Sequence, residues 1–269
     1  MFDEIIVCLD GSSLAEKILP LARGIAAAKS GKLTLLRVVQ DVAELAAEEE
    51  YLRDCARQYA AELSLLVADD AGAAIAAHLA NHANAMAALT THGRTAWSEA
   101  ILGSVALSVI RAAKRPVLIF CPIEIAGDAA EKVDNIVVAL DGSAPSEKII
   151  PYAADAARFL AAGLLLVQVL PAQPVTPLTH EKSDLNEAAY LHSKAAAIKK
   201  RYHMVAQWEV LHGDVADAIC RFISNMPNTL LAMTTHARTG IERAILGSVA
   251  AACVRRAAVP LMLYWPHDK

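Results

Sequence analysis

Two short segments carry residue types able to meet a polar base edge or an anion, and each occurs twice. Leu9-Asp10-Gly11-Ser12 recurs as Leu140-Asp141-Gly142-Ser143. Apolar residues precede each acid and read as a strand, so the acid stands at a strand's carboxyl end with glycine after it. A carboxylate there can accept hydrogen bonds from a base or a hydroxyl. Asp and Ser also cap helices, so Asp10 can equally serve the helix that follows. The second segment is Thr90-Thr91-His92-Gly93, then nine residues, then Gly103-Ser104 at a helix start; its copy is Thr234-Thr235-His236-Ala237, then nine, then Gly247-Ser248. A loop feeding a helix amino terminus offers unpaired N–H groups and a favourable dipole to a phosphate. Glycine lets a ligand approach the backbone. Ser104 and Ser248 can cap their helices as well as donate to an anion. Arg94 and Arg238 recur beside the histidines, as phosphate partners or as solvated loop charges.

Other chemistries have little support. The sequence contains no GxGxxG, no GxxxxGK[ST] and no GxSxG, the patterns of a dinucleotide fingerprint, a P-loop and a nucleophile elbow. His78 and His82 lie at metal-ligand spacing on an expected helix but have no evident third ligand. They read as a surface histidine pair.

The elements that must position these residues come from an internal repeat. Residues 3–22 and 134–153 share twelve of twenty positions without a gap, and residues 91–122 and 235–266 share fifteen of thirty-two. The first pair is offset by 131 residues and the second by 144, which leaves 13 extra residues between the blocks of the second copy. The Pro-rich stretch from Leu170 to Lys182 is the expected place for most of them. The expected domains are residues 1–124 and 133–269, joined by an exposed connector.

Each copy alternates strand-like and helix-like runs. In the second, strands are expected at Asn135–Leu140, Leu164–Leu170, Val205–Leu211, Thr229–Thr234 and Pro260–Trp265. Helices are expected at Pro145–Ala161, Leu185–Tyr202, Ala216–Asn225 and Ser248–Arg256. In the first copy the third strand, near Leu65–Ala68, and the fourth, near Met86–Thr91, are weakly marked. This order predicts parallel sheets with helices on both faces, and continuous apolar strands suit a sheet buried on both sides. In such sheets ligands bind at the carboxyl ends of the strands, where the strand order reverses.

Composition bounds the setting. The 269 residues carry a net charge of −4, with 55% hydrophobic and 20% charged residues. That is a globular chain without a basic footprint for nucleic acid. The uncharged stretch from Phe159 to His180 is broken by Gly163, Gln168 and three prolines, and reads as a buried strand followed by a loop rather than a membrane span. Five cysteines form no CxxC pair, which fits reduced thiols in the cytoplasm.

Taken together, these residues resemble the universal stress protein family in its tandem form, over nearly the whole chain. The carriers are Val-x-Leu-Asp-Gly-Ser, Thr-His-x-Arg-Thr, Leu-Gly-Ser-Val-Ala and the proline before the last strand. The resemblance implies two Rossmann-like α/β domains, each with a five-stranded parallel sheet in order 3-2-1-4-5. It also implies an ATP-binding subclass with the pattern G-x2-G-x9-G-[ST]. Carried over to the first copy, Asp10 and the Val38 backbone would contact adenine, while Gly93, Gly103, Ser104 and Val105 would hold ribose and phosphates. In the second copy the matching positions are Asp141, Val169, Gly247, Ser248 and Val249. The pattern's first glycine is Thr90 or Thr234 here, and its second is Gly93 in one copy but Ala237 in the other. The first copy is therefore expected to be the better site.

The expectation is a cytoplasmic stress-response protein that binds adenine nucleotide, foremost ATP with Mg as a candidate companion, as a ligand rather than a fast-turnover substrate. No catalytic residue or resident metal site is assigned. The alternatives are a nucleotide-free interaction scaffold and a slow ATPase or phosphotransferase. The last strands of the copies are expected to pair into an internal pseudo-dimer, with a homodimer as a further option, and no membrane or nucleic-acid partner is expected.

Overall fold

The computed structural model describes residues 2–91, 102–121, 132–170, 177–235, 246–257 and 259–267. The chain divides into two compact units. One holds the residues up to Lys132 together with Met262–His267; the other runs from Val133 to Leu261.

In the first unit, strand β1 (Glu4–Leu9) leads through a short helix α1 (Ser13–Glu16) into α2 (Leu19–Ala27) and β2 (Lys32–Val39). A single 3-10 turn precedes α3 (Leu45–Tyr59), followed by β3 (Glu62–Val67), α4 (Ala71–Asn81), β4 (Ala85–Thr90), α5 (Ser104–Ala112) and β5 (Val117–Phe120). The strand order is β3-β2-β1-β4-β5, and the pairs are parallel. Strands β1, β2 and β4 are buried along nearly their whole length, because helices cover both faces of a parallel sheet. Ile5, Ile6, Leu35 and Leu36 of the sheet, with Ile18, Leu21 and Ile25 of the helical layer, are at most 1% exposed and form this core.

The second unit repeats the plan. Its elements are β6 (Asn135–Leu140), α6 (Ala144–Glu147), α7 (Ile150–Leu160), β7 (Gly163–Leu170), α8 (Pro177–Tyr202), β8 (Ala206–His212), α9 (Val215–Ser224), β9 (Thr229–Thr234), α10 (Ser248–Arg256) and β10 (Leu261–Tyr264). Strands run β8-β7-β6-β9 in parallel, and the Leu231 N–H donates to the Pro260 carbonyl at 3.0 Å where the chain enters β10.

Local chemistry explains several boundaries. The continuous helix expected over Pro145–Ala161 is two helices, α6 and α7. Ser143 caps α6, and Pro151 stands in the first turn of α7, where a missing N–H costs nothing. Helix α8 begins at Pro177, eight residues before its expected start, so part of the Pro-rich insertion is helical. Asp70 and Asp214 cap α4 and α9 through their carboxylates, at 3.0 and 3.1 Å. No helix among the described residues is long and apolar enough to cross a membrane.

Candidate functional site

In the first unit the strand order turns around between β1 and β4, with β2 on one side of β1 and β4 on the other. A cavity of about 280 Å³ opens at the carboxyl ends of these strands. Asp10, Val38, Gly103, Ser104 and Val105 all line it, alongside Arg37 and Thr91. Five of the six first-copy positions singled out from the sequence thus meet at one opening. Gly93, with His92 and Arg94, lies outside the described residues, as do His236, Ala237 and Arg238 in the second copy.

Asp10 is held by the turn that follows it. Its Oδ1 accepts from the Ser12 N–H at 3.0 Å and from the Ser12 hydroxyl at 2.6 Å. Ser12 Oγ in turn accepts from the Ala15 N–H at 3.2 Å and caps α1. The helix cap is therefore Ser12, and Asp10 orients it. Gly11 makes the bend possible with φ at +79°, a conformation that L side chains rarely adopt.

Opposite Asp10, α5 starts without a side-chain cap. The N-cap is Gly103 rather than Ser104, with φ −60° and ψ 154°. Its N–H donates to the buried Thr91 carbonyl at 2.9 Å, which pins the helix start to the end of β4. The first-turn N–H groups of a helix lack intrahelical acceptors, so an uncapped start bordering a cavity presents donors and the positive end of the dipole to it.

Arg37, which no sequence motif marks, also borders the cavity. This residue lies opposite Leu9 in the β1–β2 register and is 7% exposed. Its Nε and Nη2 donate to the two carboxylate oxygens of Glu48 at 2.8 and 3.0 Å. These hydrogen bonds raise the guanidinium's pKa further, burial opposes the rise, and the charges of Glu48 and Asp10 reinforce it. The available signal was an arginine inside the otherwise apolar run Leu33–Val39.

The second unit reproduces the geometry around its own Asp141. Ser143 N–H and hydroxyl donate to Asp141 Oδ1 at 3.0 and 2.6 Å, and Gly142 takes φ +81°. Gly247 donates to the Thr235 carbonyl at 2.9 Å and starts α10, again with no side-chain cap, so that Ser248 and Val249 open the helix. Val169 lies near the end of β7, paired with Leu211. Next to it Gln168 occupies Arg37's register position, opposite Leu140; it is 4% exposed and its Oε1 has no hydrogen-bond partner. A tyrosine–glutamate hydrogen bond is also shared: Tyr51 donates to Glu16 at 2.9 Å and Tyr190 to Glu147 at 3.1 Å.

The histidine pair is partly exposed, as expected of a surface pair, and has specific partners. His82 Nδ1 lies 2.9 Å from Glu4 Oε2, and the His78 ring stacks on His82 with centroids 4.4 Å apart. Both sit at the amino end of β1, away from the strand ends that carry Asp10. Among the described residues no group of three His, Cys, Asp or Glu is placed to hold a metal ion.

A doubly wound parallel α/β unit with a polar opening at its strand-order switch is the general form of a ligand-binding α/β domain. The α/β unit occurs twice here, with the opening seen in the first, and the chain belongs to the universal stress protein family, which residues 41–120 and 132–264 match. A universal stress protein of Methanocaldococcus jannaschii is 30% identical over 136 residues, spanning 48% of this chain and 80% of that protein. Among solved structures, a universal stress protein from Archaeoglobus fulgidus aligns over 98% of this chain and 99% of its own, with a TM-score of 0.75 and 19% identity. A functionally unknown protein from Pseudomonas aeruginosa aligns over 98% of this chain and 93% of its own, with a TM-score of 0.66 and 20% identity. At those identities the structural likeness speaks for the fold.

Proposed function

We propose that this universal stress protein binds adenine nucleotide, ATP in particular, as a regulatory ligand at the carboxyl edge of each sheet. The observation that carries the reading is the single cavity bordered both by Asp10, at the end of β1, and by the uncapped α5 start at Gly103–Val105. A nucleotide has one end to match each. The base and ribose present donors for a carboxylate, and the phosphates suit a helix amino terminus. The volume of about 280 Å³ suits the nucleoside part, with the phosphates extending along α5.

Within this reading Asp10 and the Val38 backbone face the base, and Gly103, Ser104 and Val105 face ribose and phosphate. Asp141, Val169, Gly247, Ser248 and Val249 take the same parts in the second unit. The described residues supply no carboxylate cluster for a metal, so Mg would arrive on the phosphate oxygens. Among the described residues that line the opening, the carboxylate is that of Asp10, whose Oδ1 is engaged by Ser12, and this supports reading the nucleotide as a ligand rather than a turned-over substrate. The test is mass spectrometry of small molecules released from the purified full chain, followed by titration with ATP and a timed hydrolysis assay. Retained adenine nucleotide, or saturable ATP binding with negligible turnover, is the expected result. No binding by either measure would remove the proposal.

A further inference from the structure

Arg37 and Gln168 occupy one register position in the two units, opposite Leu9 and Leu140, yet they meet different chemistry. Arg37 donates to both oxygens of Glu48 and borders the first unit's cavity. Gln168 is 4% exposed, and its buried Oε1 has no hydrogen-bond partner among the described residues. A Cβ added to Gly142 would lie 3.4 Å from Gln168 Nε2, so the amide sits against the turn that follows Asp141. A buried acceptor left unpaired is costly and calls for a donor.

The neighbouring side chains that correspond to Arg37's surroundings supply none. Glu187 stands three residues before Tyr190, as Glu48 stands before Tyr51, but a carboxylate and an amide oxygen both only accept. Lys194 stands four residues after Tyr190, where the first copy has Cys55, and bonds to Glu147 at 2.6 Å. The positive charge has thus moved from a strand end in the first unit to helix α8 in the second.

We infer that Gln168 is a base-specificity residue of the second unit: its Oε1 accepts an N–H from the exocyclic amino group of the bound adenine. The role rests on the nucleotide site proposed above. Strand β7 flanks β6 on one side, and β9, which leads to the α10 start, flanks it on the other. With the phosphates at α10, the base falls on the β7 side, where Gln168 and Val169 stand. In an adenine nucleotide the amino group carries the base's only N–H donors, so it is the group that can complete this acceptor. Arg37 has donors alone and cannot take an N–H. The second unit therefore demands an amino purine through a contact that the first unit cannot make at the same position.

The experiment photolabels the full chain with azido-ATP and maps labelled peptides by mass spectrometry, so that each unit is read separately. The competitors are ATP and purine riboside triphosphate, which lacks only the amino group. ATP is expected to displace label from second-unit peptides at about ten-fold lower concentration than this analogue, the effect of one hydrogen bond to a buried acceptor. Gln168→Leu, and Gln168→Arg with the first copy's residue, are expected to remove that advantage and leave first-unit labelling unchanged. Without nucleotide, Gln168→Leu is expected to melt at or above the wild type, because it removes an unpaired acceptor; a lower melting temperature would mark the amide as structural and overturn the role. An ATP advantage that survives in both variants, or is missing from the wild type while the second unit is labelled, overturns the role of Gln168 and leaves the nucleotide site standing. Label confined to the first unit overturns that role too. Absence of displaceable label from both units overturns the nucleotide site as well.

Discussion

Arg37 and Glu48 meet as a fork, with Nε and Nη2 on the two carboxylate oxygens at 2.8 and 3.0 Å, beside the cavity that Asp10 also lines. The two partners are unequally buried, at 8% and 20% side-chain exposure. Breaking a buried pair costs about 3–5 kcal/mol, chiefly through the charge left behind. Glu48→Ala strands the more buried guanidinium and is expected to reach about 3 kcal/mol. Arg37→Gln installs the second copy's residue and leaves a carboxylate that water can reach, so its cost is smaller. Urea unfolding of both variants checks the order. An unchanged midpoint for Glu48→Ala would show that the pair contributes nothing.

Gly103 separates a backbone requirement from a ligand requirement. Its φ of −60° suits any residue, and an added Cβ would lie 3.5 Å from the Thr91 carbonyl oxygen, an ordinary contact. Gly103→Ala is therefore expected to fold normally and lose about 1 kcal/mol or less, the cost of a poorer N-cap. Gly103→Val adds a branched three-carbon side chain at the mouth of the helix start and is expected to reduce ATP affinity at least ten-fold while the protein stays folded. Calorimetric titration reads the affinity and thermal melting the fold. Undiminished binding in Gly103→Val would disqualify the α5 start as the phosphate site.

If both units bind ATP, the first is expected to bind at least as tightly as the second. The sequence places Gly93 in the first loop and Ala237 in the second, and a methyl there restricts the backbone that must turn its N–H groups inward. The full chain is the right reagent, because Met262–His267 group with the first unit and truncation near residue 124 would remove them. Asp10→Asn and Asp141→Asn keep the Oδ1 acceptor that each turn uses, remove the charge and turn the second acceptor oxygen into an amide donor. A lost polar contact is worth about 0.5–3 kcal/mol. Titration should show the tighter class of sites weakened by Asp10→Asn. Weakening of the tighter class by Asp141→Asn instead would reverse the order.

Much of this architecture was legible because the repeat and the apolar runs agree. Strands β1 and β6 stand out as Ile/Val-rich segments ending in the same Leu-Asp-Gly-Ser. Strand β3 was weak for a physical reason: it is the sheet's edge, none of its residues is fully buried, and its pattern lacks the continuous apolar signal of the centre. Strand β4 was faint because alanines fill half of it, although all six residues are buried. The start of α8 was hidden by proline, which reads as a breaker along the chain yet is well suited to a first helical position. The Arg37–Glu48 pair was invisible because it joins a strand to a helix across a turn, and no periodicity marks such a contact. The switch of cap from Ser104 to Gly103 was illegible too, since both neighbours are good caps.

The Glu4 cluster predicts acid sensitivity in two stages. Burial works against the Glu4 charge, but hydrogen bonds from Thr34 and His82 and the charges of Lys32 and His82 outweigh it and hold the carboxyl below its ordinary value of 4.5. His78 falls below its ordinary 6.5, chiefly through burial and then through repulsion from His82, against the pull of Glu4. In both cases the unfolded chain binds protons more readily than the folded one, so stability rises with pH across the interval between the two values. The His78 contribution is intact above about pH 6.5 and declines as pH falls through the folded value. The Glu4 contribution is intact above about pH 4.5 and is lost below it in the same way. Lys32, itself bonded to Glu62 at 2.8 Å, stays charged throughout and cannot produce either step. Melting temperatures from about pH 7.5 to 4 should begin to fall below about pH 6.5 and fall again below about pH 4.5. His78→Gln should flatten the first fall and leave the second, and Glu4→Gln should flatten the second while lowering stability at neutral pH. A wild-type melting temperature unchanged between about pH 7 and 5.5, or an equal decline in His78→Gln over that range, would remove His78 from the account.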